Sequence, residues 1–265
     1  MAQARTPRVR REPPRFRRVE VRGIEPLSPC LTRVTLAGDE LADFAVPEPA
    51  ASVRLLLPPP GSRQLVMPAW NGNEFLLPDG RRAVIRTFTP RRFDAAAHEL
   101  DLDVVIHDEG VASAWVRGAA PGDTAAVSGP GRGYTIDTDA PAFLLGGDET
   151  AIPAISQLLE VLPTTAPVRV RIEVARADAR LALPSRPDLT FEWLDLPPGA
   201  PPGDALVDAL AALDVADDTR IWVAGEAAAV QRVRRHLFEE RGISRSRTSI
   251  RGYWKAGRSG DADDE

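Results

Sequence analysis

Arg86-Thr87-Phe88-Thr89-Pro90-Arg91 sets guanidinium, hydroxyl and ring side by side, directly after the apolar run Ala83-Val84-Ile85. Side chains along a strand alternate between faces, so Arg86 and Phe88 share one side while Thr87 and Thr89 take the other. A ligand that suits such a strand carries a diphosphate, a polyol and a flat ring. Arg86 can grip phosphate oxygens in a bidentate pair, Phe88 offers a flat surface, and the hydroxyls reach ring heteroatoms. The alternative is an edge strand with solvated arginines. A second stretch runs from His107 through Gly110, Val111, Ala112 and Ser113 to Trp115. Glycine breaks a strand, small residues open a short helix, and free N–H groups at a helix start attract phosphate. Ser113 adds a hydroxyl, and Trp115 covers either an adenine or the helix base. The same residues also suit a plain turn with a packed tryptophan.

A third stretch, Phe143-Leu144-Leu145-Gly146-Gly147-Asp148-Glu149-Thr150, has the strand–glycine–helix layout of a nucleotide site. It lacks the G-x-G-x-x-G fingerprint. Asp148 and Glu149 suit a helix N-terminus but repel phosphate, so this turn is expected to face the nicotinamide or ribose of a dinucleotide. A capped strand–helix turn is the alternative. Ala224-Gly225-Glu226, after Ile221-Trp222-Val223, repeats the theme and leaves room for a flat ring.

These segments need two kinds of scaffold. Before residue 130, short strands are expected at Arg15 to Val21, Leu31 to Ala37, Ser52 to Leu57, Val84 to Pro90, Leu100 to Ile106 and Thr124 to Ser128, with turn residues between them. Their spacing predicts a six-stranded antiparallel β-barrel interrupted by one short helix from about Val111 to Arg117. Residues 58–82, rich in Pro and Gly, read as a long surface loop. After residue 140 the period changes. Strands at Ala142 to Leu145, Val168 to Val174, Thr190 to Leu194 and Ile221 to Val223 alternate with helices, which predicts a Rossmann-like parallel α/β layer. The expected division is residues 1–138 and 139–265, with 1–14 as an arm.

The chain has 265 residues and 43% hydrophobic content, enough for two cores. No apolar run approaches the ~18 residues of a membrane span, and no leader pattern follows Arg10-Arg11; a cytoplasmic location is expected. Residues 1–22 hold eight arginines against a net charge of −5. Such an arm can bind nucleic acid, but on a net negative protein a solvated terminus is the expectation. The single Cys30 and the scattered His98, His107 and His236 offer no iron-ligand cluster.

In order along the chain, Arg86 to Arg91, Gly110 to Trp115, Pro121-Gly122-Asp123, Gly129-Pro130, Gly147 to Ala154, Ala224-Gly225-Glu226 and Gly252-Tyr253-Trp254-Lys255 resemble the siderophore-interacting protein family. These are FAD-dependent ferric-siderophore reductases of the ferredoxin-reductase-like group, and the likeness covers about residues 15 to 258. It implies FAD bound in the barrel, with NADPH or NADH, or alternatively a ferredoxin, as electron donor. It implies a ferric siderophore as substrate, whose iron arrives already chelated. The family's basic docking positions align with Arg54, Arg132 and Lys255. Tyr253 and Trp254 either flank the isoalloxazine or pack the terminus. Arg176 and Arg180, after the second parallel strand, suit a 2′-phosphate and so favour NADPH. The chain departs from the family at Phe88, often tyrosine there, and at Val111, often proline. Another flavin or ferredoxin-type reductase, and a non-enzymatic siderophore binder, are the competing readings.

Overall fold

The computed structural model describes residues 15–107 and 110–257. The basic arm 1–14 and the acidic end of the chain lie outside them. In chain order the first half contains β1 (Phe16–Ser28), β2 (Leu31–Ala37), β3 (Val53–Leu57), β4 (Ala69–Trp70), β5 (Phe75–Leu76), β6 (Val84–Phe88), β7 (Pro90–Asp94), β8 (Glu99–Val105), α1 (Val111–Gly118) and β9 (Thr124–Ser128). Seven of the strands form one antiparallel sheet in the order β6-β3-β9-β1-β2-β8-β7. β6 and β7 are its two edges, yet only Thr89 separates them in the chain, so the sheet must curl back on itself. The expected barrel is therefore present as a curled, open sheet, with seven strands instead of six.

The extra strand comes from the opening motif. The stretch expected as one strand, Val84 to Pro90, is two. β6 pairs with β3, whereas Pro90 is already opposite Leu102 of β8. Proline has no N–H for a ladder, which makes the start of an edge strand its natural place. Inside the curl, Val19, Val34, Leu36, Val53, Leu55, Leu100, Leu102 and Val127 form a buried core. Outside it, Phe16, Leu56, Ile85 and Ala126 pack with Met67 and Phe75 from the excursion between β3 and β6. That excursion is not a bare loop, because β4 and β5 form a small ribbon within it.

The second half contains β10 (Phe143–Gly147), α2 (Ile152–Val161), β11 (Val168–Val174), β12 (Leu189–Asp195), α3 (Asp204–Ala212), β13 (Arg220–Glu226), α4 (Ala227–Arg235) and β14 (Thr248–Trp254). Its five strands are parallel in the order β12-β11-β10-β13-β14. Phe143 and Leu145 bury against Ile152, Ile155 and Leu158 of α2 on one face. Leu144 buries against Leu206 and Leu210 of α3 and Val230 and Val233 of α4 on the other. A sheet covered on both faces explains why β10 reads as a continuous apolar run. The α-helical part of α4 ends at Arg235, and His236–Glu240 form a π turn. β14 has no clear strand pattern in the sequence, since only Ile250 along it is buried.

The halves are joined beside the β6–β7 switch. Gln157 of α2 donates to Pro90 O at 2.7 Å and accepts from Ala50 N–H at 2.9 Å. Arg91 pairs with Glu160 of α2 at 2.6 Å. Arg91 thus braces the two halves together.

Candidate functional site

Register fixes the faces of the opening strand. Leu55 stands opposite Arg86, and Leu55 and Phe88 both belong to the core inside the curl. Arg86 therefore shares the inner face with Val84 and Phe88. Val111, Ala112 and Trp115 of α1 pack on that same core. The guanidinium strand and the helix start lie on one side of the sheet. Thr87 and Arg54 are register partners on the opposite face, and Thr87 is exposed.

α1 begins after Gly110 at φ +139°, and no side chain among the described residues caps it. A non-glycine residue is strained at that φ. The first intrahelical bond is Ala114 N–H to Gly110 O, so helix geometry leaves the N–H groups of Val111, Ala112 and Ser113 without a partner in their own helix. Ser113 is buried, and its Oγ accepts from His107 N–H at 3.2 Å. Arg117 donates to His107 O at 2.8 Å. These two side chains hold the strand end before the helix, so Ser113 is not presented outward as its hydroxyl chemistry suggested. Trp115 lines a cavity of about 530 Å³ with Val111, Ala114 and the Pro58–Arg63 turn. The sequence reading missed that turn as a wall of the site. Its signal was the Pro-Pro-Pro-Gly run that opens the long excursion.

The second cluster lies at the carboxyl end of the parallel strands. Gly147 must be glycine: an added Cβ would stand 2.3 Å from Ala151 Cβ and 2.7 Å from Ala224 O. Asp148 is buried. Oδ1 accepts from Thr150 N–H at 2.9 Å and Thr150 Oγ1–H at 2.5 Å, while Oδ2 accepts from Glu226 N–H at 2.9 Å and Trp254 Nε1–H at 2.7 Å. Glu226 accepts from Ala228, Ala229 and Ala256 N–H groups. Glu149 accepts from Ala175 N–H. Glu173, buried, accepts from Gly203 and Leu206 N–H groups at 2.6 and 3.0 Å. Asp148 and Glu149, expected to face a nicotinamide, are thus spent on backbone N–H groups, the Thr150 hydroxyl and the Trp254 indole. They shape the turns around Thr150, Ala224 and Gly225.

Burial pushes the carboxyls of Asp148, Glu149 and Glu173 above their ordinary range, and their hydrogen bonds draw them partly back. Once the pH passes about 4, the unfolded chain releases protons that the folded protein still holds. Stability from these groups falls as pH rises from that point. Exposed Asp43, Asp79 and Asp178 and half-buried Asp137 are shifted down by paired arginines, and their gain is complete above that pH. Thermal unfolding is expected to give a lower Tm at pH 8 than at pH 5.5, with a Glu173→Gln variant showing a shallower slope. A Tm that climbs over this range counts against the burial argument.

The C-terminal segment lies across both clusters. Tyr253 bonds the Thr89 side chain and meets the buried Trp222 ring edge-on at 6.3 Å. Trp254 is held by Asp148, and Ala256 N–H by Glu226, so exposed Lys255 stands between two anchored neighbours. Arg132 is exposed on the loop after β9, whose Gly131 N–H bonds Ser52 O at 2.6 Å, two residues from Arg54. Arg132 O accepts from Arg251 of β14. A chain of contacts therefore connects the segments carrying Arg54, Arg132 and Lys255. Arg176 pairs with Asp178 at 2.6 Å and Arg180 with Asp195 at 2.5 Å, both at the carboxyl edge of the parallel sheet.

Residues 20–134 match the model of the siderophore-interacting FAD-binding domain, and residues 140–257 match that of the siderophore-interacting protein. Ferric vibriobactin reductase ViuB of Vibrio cholerae is 30% identical over 235 residues, spanning 88% of this chain and 86% of that one. The chain belongs to the siderophore-interacting protein family. The NADPH-dependent ferric-chelate reductase of Escherichia coli K12 is 31% identical over 246 residues, or 91% of this chain and 94% of its own. The crystal structure of a siderophore utilization protein from T. fusca superposes with a TM-score of 0.83 at 34% identity, covering 94% of this chain and 97% of that one. The curled sheet followed by a parallel layer is thus the family's architecture.

Proposed function

We propose that this siderophore-interacting protein is a flavin-dependent ferric-siderophore reductase. It takes electrons from NAD(P)H and delivers them to chelated Fe(III), which leaves as Fe(II). The observation that carries the reading is the meeting of Arg86 and Phe88 with the start of α1 on one face of the curled sheet. The residues fit FAD. Arg86 and the N–H groups of Val111 and Ala112 suit its diphosphate, the cavity beside Trp115 its adenosine end, and Phe88, Thr89 and Tyr253 its ring. When bound, the flavin supplies the exchange between a two-electron donor and a one-electron acceptor. The chain's own part is binding and orientation. Arg54, Arg132 and Lys255 draw anionic chelates to the ring edge, and the buried carboxylates hold the nicotinamide-side turns in shape.

The two halves, residues 1–138 and 139–265, are read as the flavin and nicotinamide domains. No helix among the described residues is long and apolar enough to cross a membrane, and the reading places the reaction in the cytoplasm. NADPH is the proposed donor. Surface ion pairs such as Arg176–Asp178 and Arg180–Asp195 are worth about 1 kcal/mol or less, so a 2′-phosphate can take over both arginines. The double variant Arg176→Ala, Arg180→Ala is expected to reverse the preference for NADPH over NADH; an unchanged ratio removes both from the site. The whole reading is tested by anaerobic mixing of the FAD-loaded protein with NADPH and then with a ferric siderophore. Bleaching of the flavin band followed by its return is expected. A band that never bleaches, or that recovers only with free flavin or ferredoxin as acceptor, defeats the proposal.

A further inference from the structure

Arg251 lies in β14, beside Ala224 of β13, and its side chain leaves the parallel sheet altogether. One guanidinium nitrogen donates to Arg132 O at 2.9 Å and Ala50 O at 3.3 Å, and the other donates to Gly133 O at 2.7 Å. All three acceptors are backbone carbonyls of the first half. Among the described residues the loop's other hydrogen bonds run to that half, while the Tyr134 ring packs against the core of the parallel layer. Gly133 N–H and Thr135 Oγ1–H bond the Glu48 carboxylate at 3.1 and 2.7 Å, and Tyr134 N–H bonds Pro49 O at 2.8 Å. Gly133 is seated so closely that a Cβ there would stand 2.4 Å from Glu48 Cβ. Four residues beyond Arg251, one past the end of β14, is Lys255.

We infer that Arg251 is a positioning residue for substrate docking: it locks the loop presenting Arg132 to the strand that leads into Lys255. The inference rests on the docking role proposed above for those two cations. The planar guanidinium is what the geometry demands. It reaches three carbonyls in two directions, whereas a lysine ammonium in its place is a single point donor on a flexible stem. Two cations on separate halves bind one chelate well only when their separation is set beforehand, because otherwise binding must order them.

The test uses the full-length FAD-loaded protein with Arg251→Met, Arg251→Lys, Arg132→Ala and the double variant Arg251→Met, Arg132→Ala. KM for a ferric siderophore is expected to rise about tenfold in Arg251→Met, and less in Arg251→Lys. The rate of flavin reduction by NADPH should not change. In the Arg132→Ala background the added effect of Arg251→Met should shrink to about twofold or less, since a positioning residue has nothing left to position. Hydrogen exchange at the Gly131, Gly133 and Tyr134 amides should quicken about tenfold in Arg251→Met while β9 amides stay protected. Unchanged exchange in that loop, exchange quickened throughout the protein, or a full tenfold KM effect persisting without Arg132 overturns the inference. Normal KM in Arg132→Ala alone instead removes Arg132 from docking, and the exchange data then decide whether Arg251 orders the loop.

Discussion

Arg86→Ala is expected to purify colourless, with an FAD dissociation constant raised about 100-fold. Charge-assisted hydrogen bonds contribute roughly 1.5–3 kcal/mol each, and a bidentate grip on a diphosphate involves two. Two such bonds lost against partial rescue by water leave a net of about 3 kcal/mol, which is that factor. Lysine keeps the charge and loses the fork, so Arg86→Lys should fall between wild type and alanine. Arg86 is half-buried and donates to the neighbouring Ile85 O at 2.7 Å. Far-UV circular dichroism of the apo protein, unchanged from wild type, separates a lost ligand contact from a lost fold. FAD titration of an Arg86→Ala variant that binds within threefold of wild type contradicts the assignment of this strand to the diphosphate.

The second large effect is on stability. Asp148→Ala strips the acceptor from Glu226 N–H, Thr150 N–H and Trp254 Nε1–H at once. Each buried donor left alone costs about 1–3 kcal/mol, and removal of a desolvated carboxylate offsets part of the sum. A net loss of about 4 kcal/mol follows, or roughly 10 °C in Tm for a protein of this size. Asp148→Asn keeps one acceptor oxygen and should lose about half as much. Gly225 makes the same point from the other side. Its φ is +156°, and a Cβ there would stand 2.7 Å from Asp148 Oδ2. Calorimetry that places Asp148→Ala within 1 kcal/mol of wild type would show that the three segments do not depend on this carboxylate.

How far the site could be read from residue order depends on the kind of contact. The face shared by Arg86 and Phe88 and the helix start at Gly110 to Trp115 were legible because period-two alternation and helix-start chemistry are local rules. The parallel layer was legible for the same reason: Leu144 and Leu145 each face a helix, so the apolar run is continuous. The break at Thr89 was not legible, since both sides of it have strand character and only their partners differ. β14 escaped because Gly252 and the polar Ser249 and Arg251 hide the strand pattern.

The roles of the charged residues divide along the same line. Residue type alone says that Asp148, Ser113 and Arg91 can hydrogen-bond or pair. It does not say with whom, because a carboxylate at a strand end suits a ligand and a helix turn equally. Folding brings Trp254 to Asp148 across 106 positions and Glu160 to Arg91 across 69, and each contact uses up capacity that was open in the unfolded chain. Local order along the chain therefore determined the antiparallel and parallel halves, the shared face of Arg86 and Phe88 and the family resemblance. Tertiary structure alone decided which polar groups remain for a ligand, because hydrogen-bond capacity is finite and its partners come from distant parts of the chain.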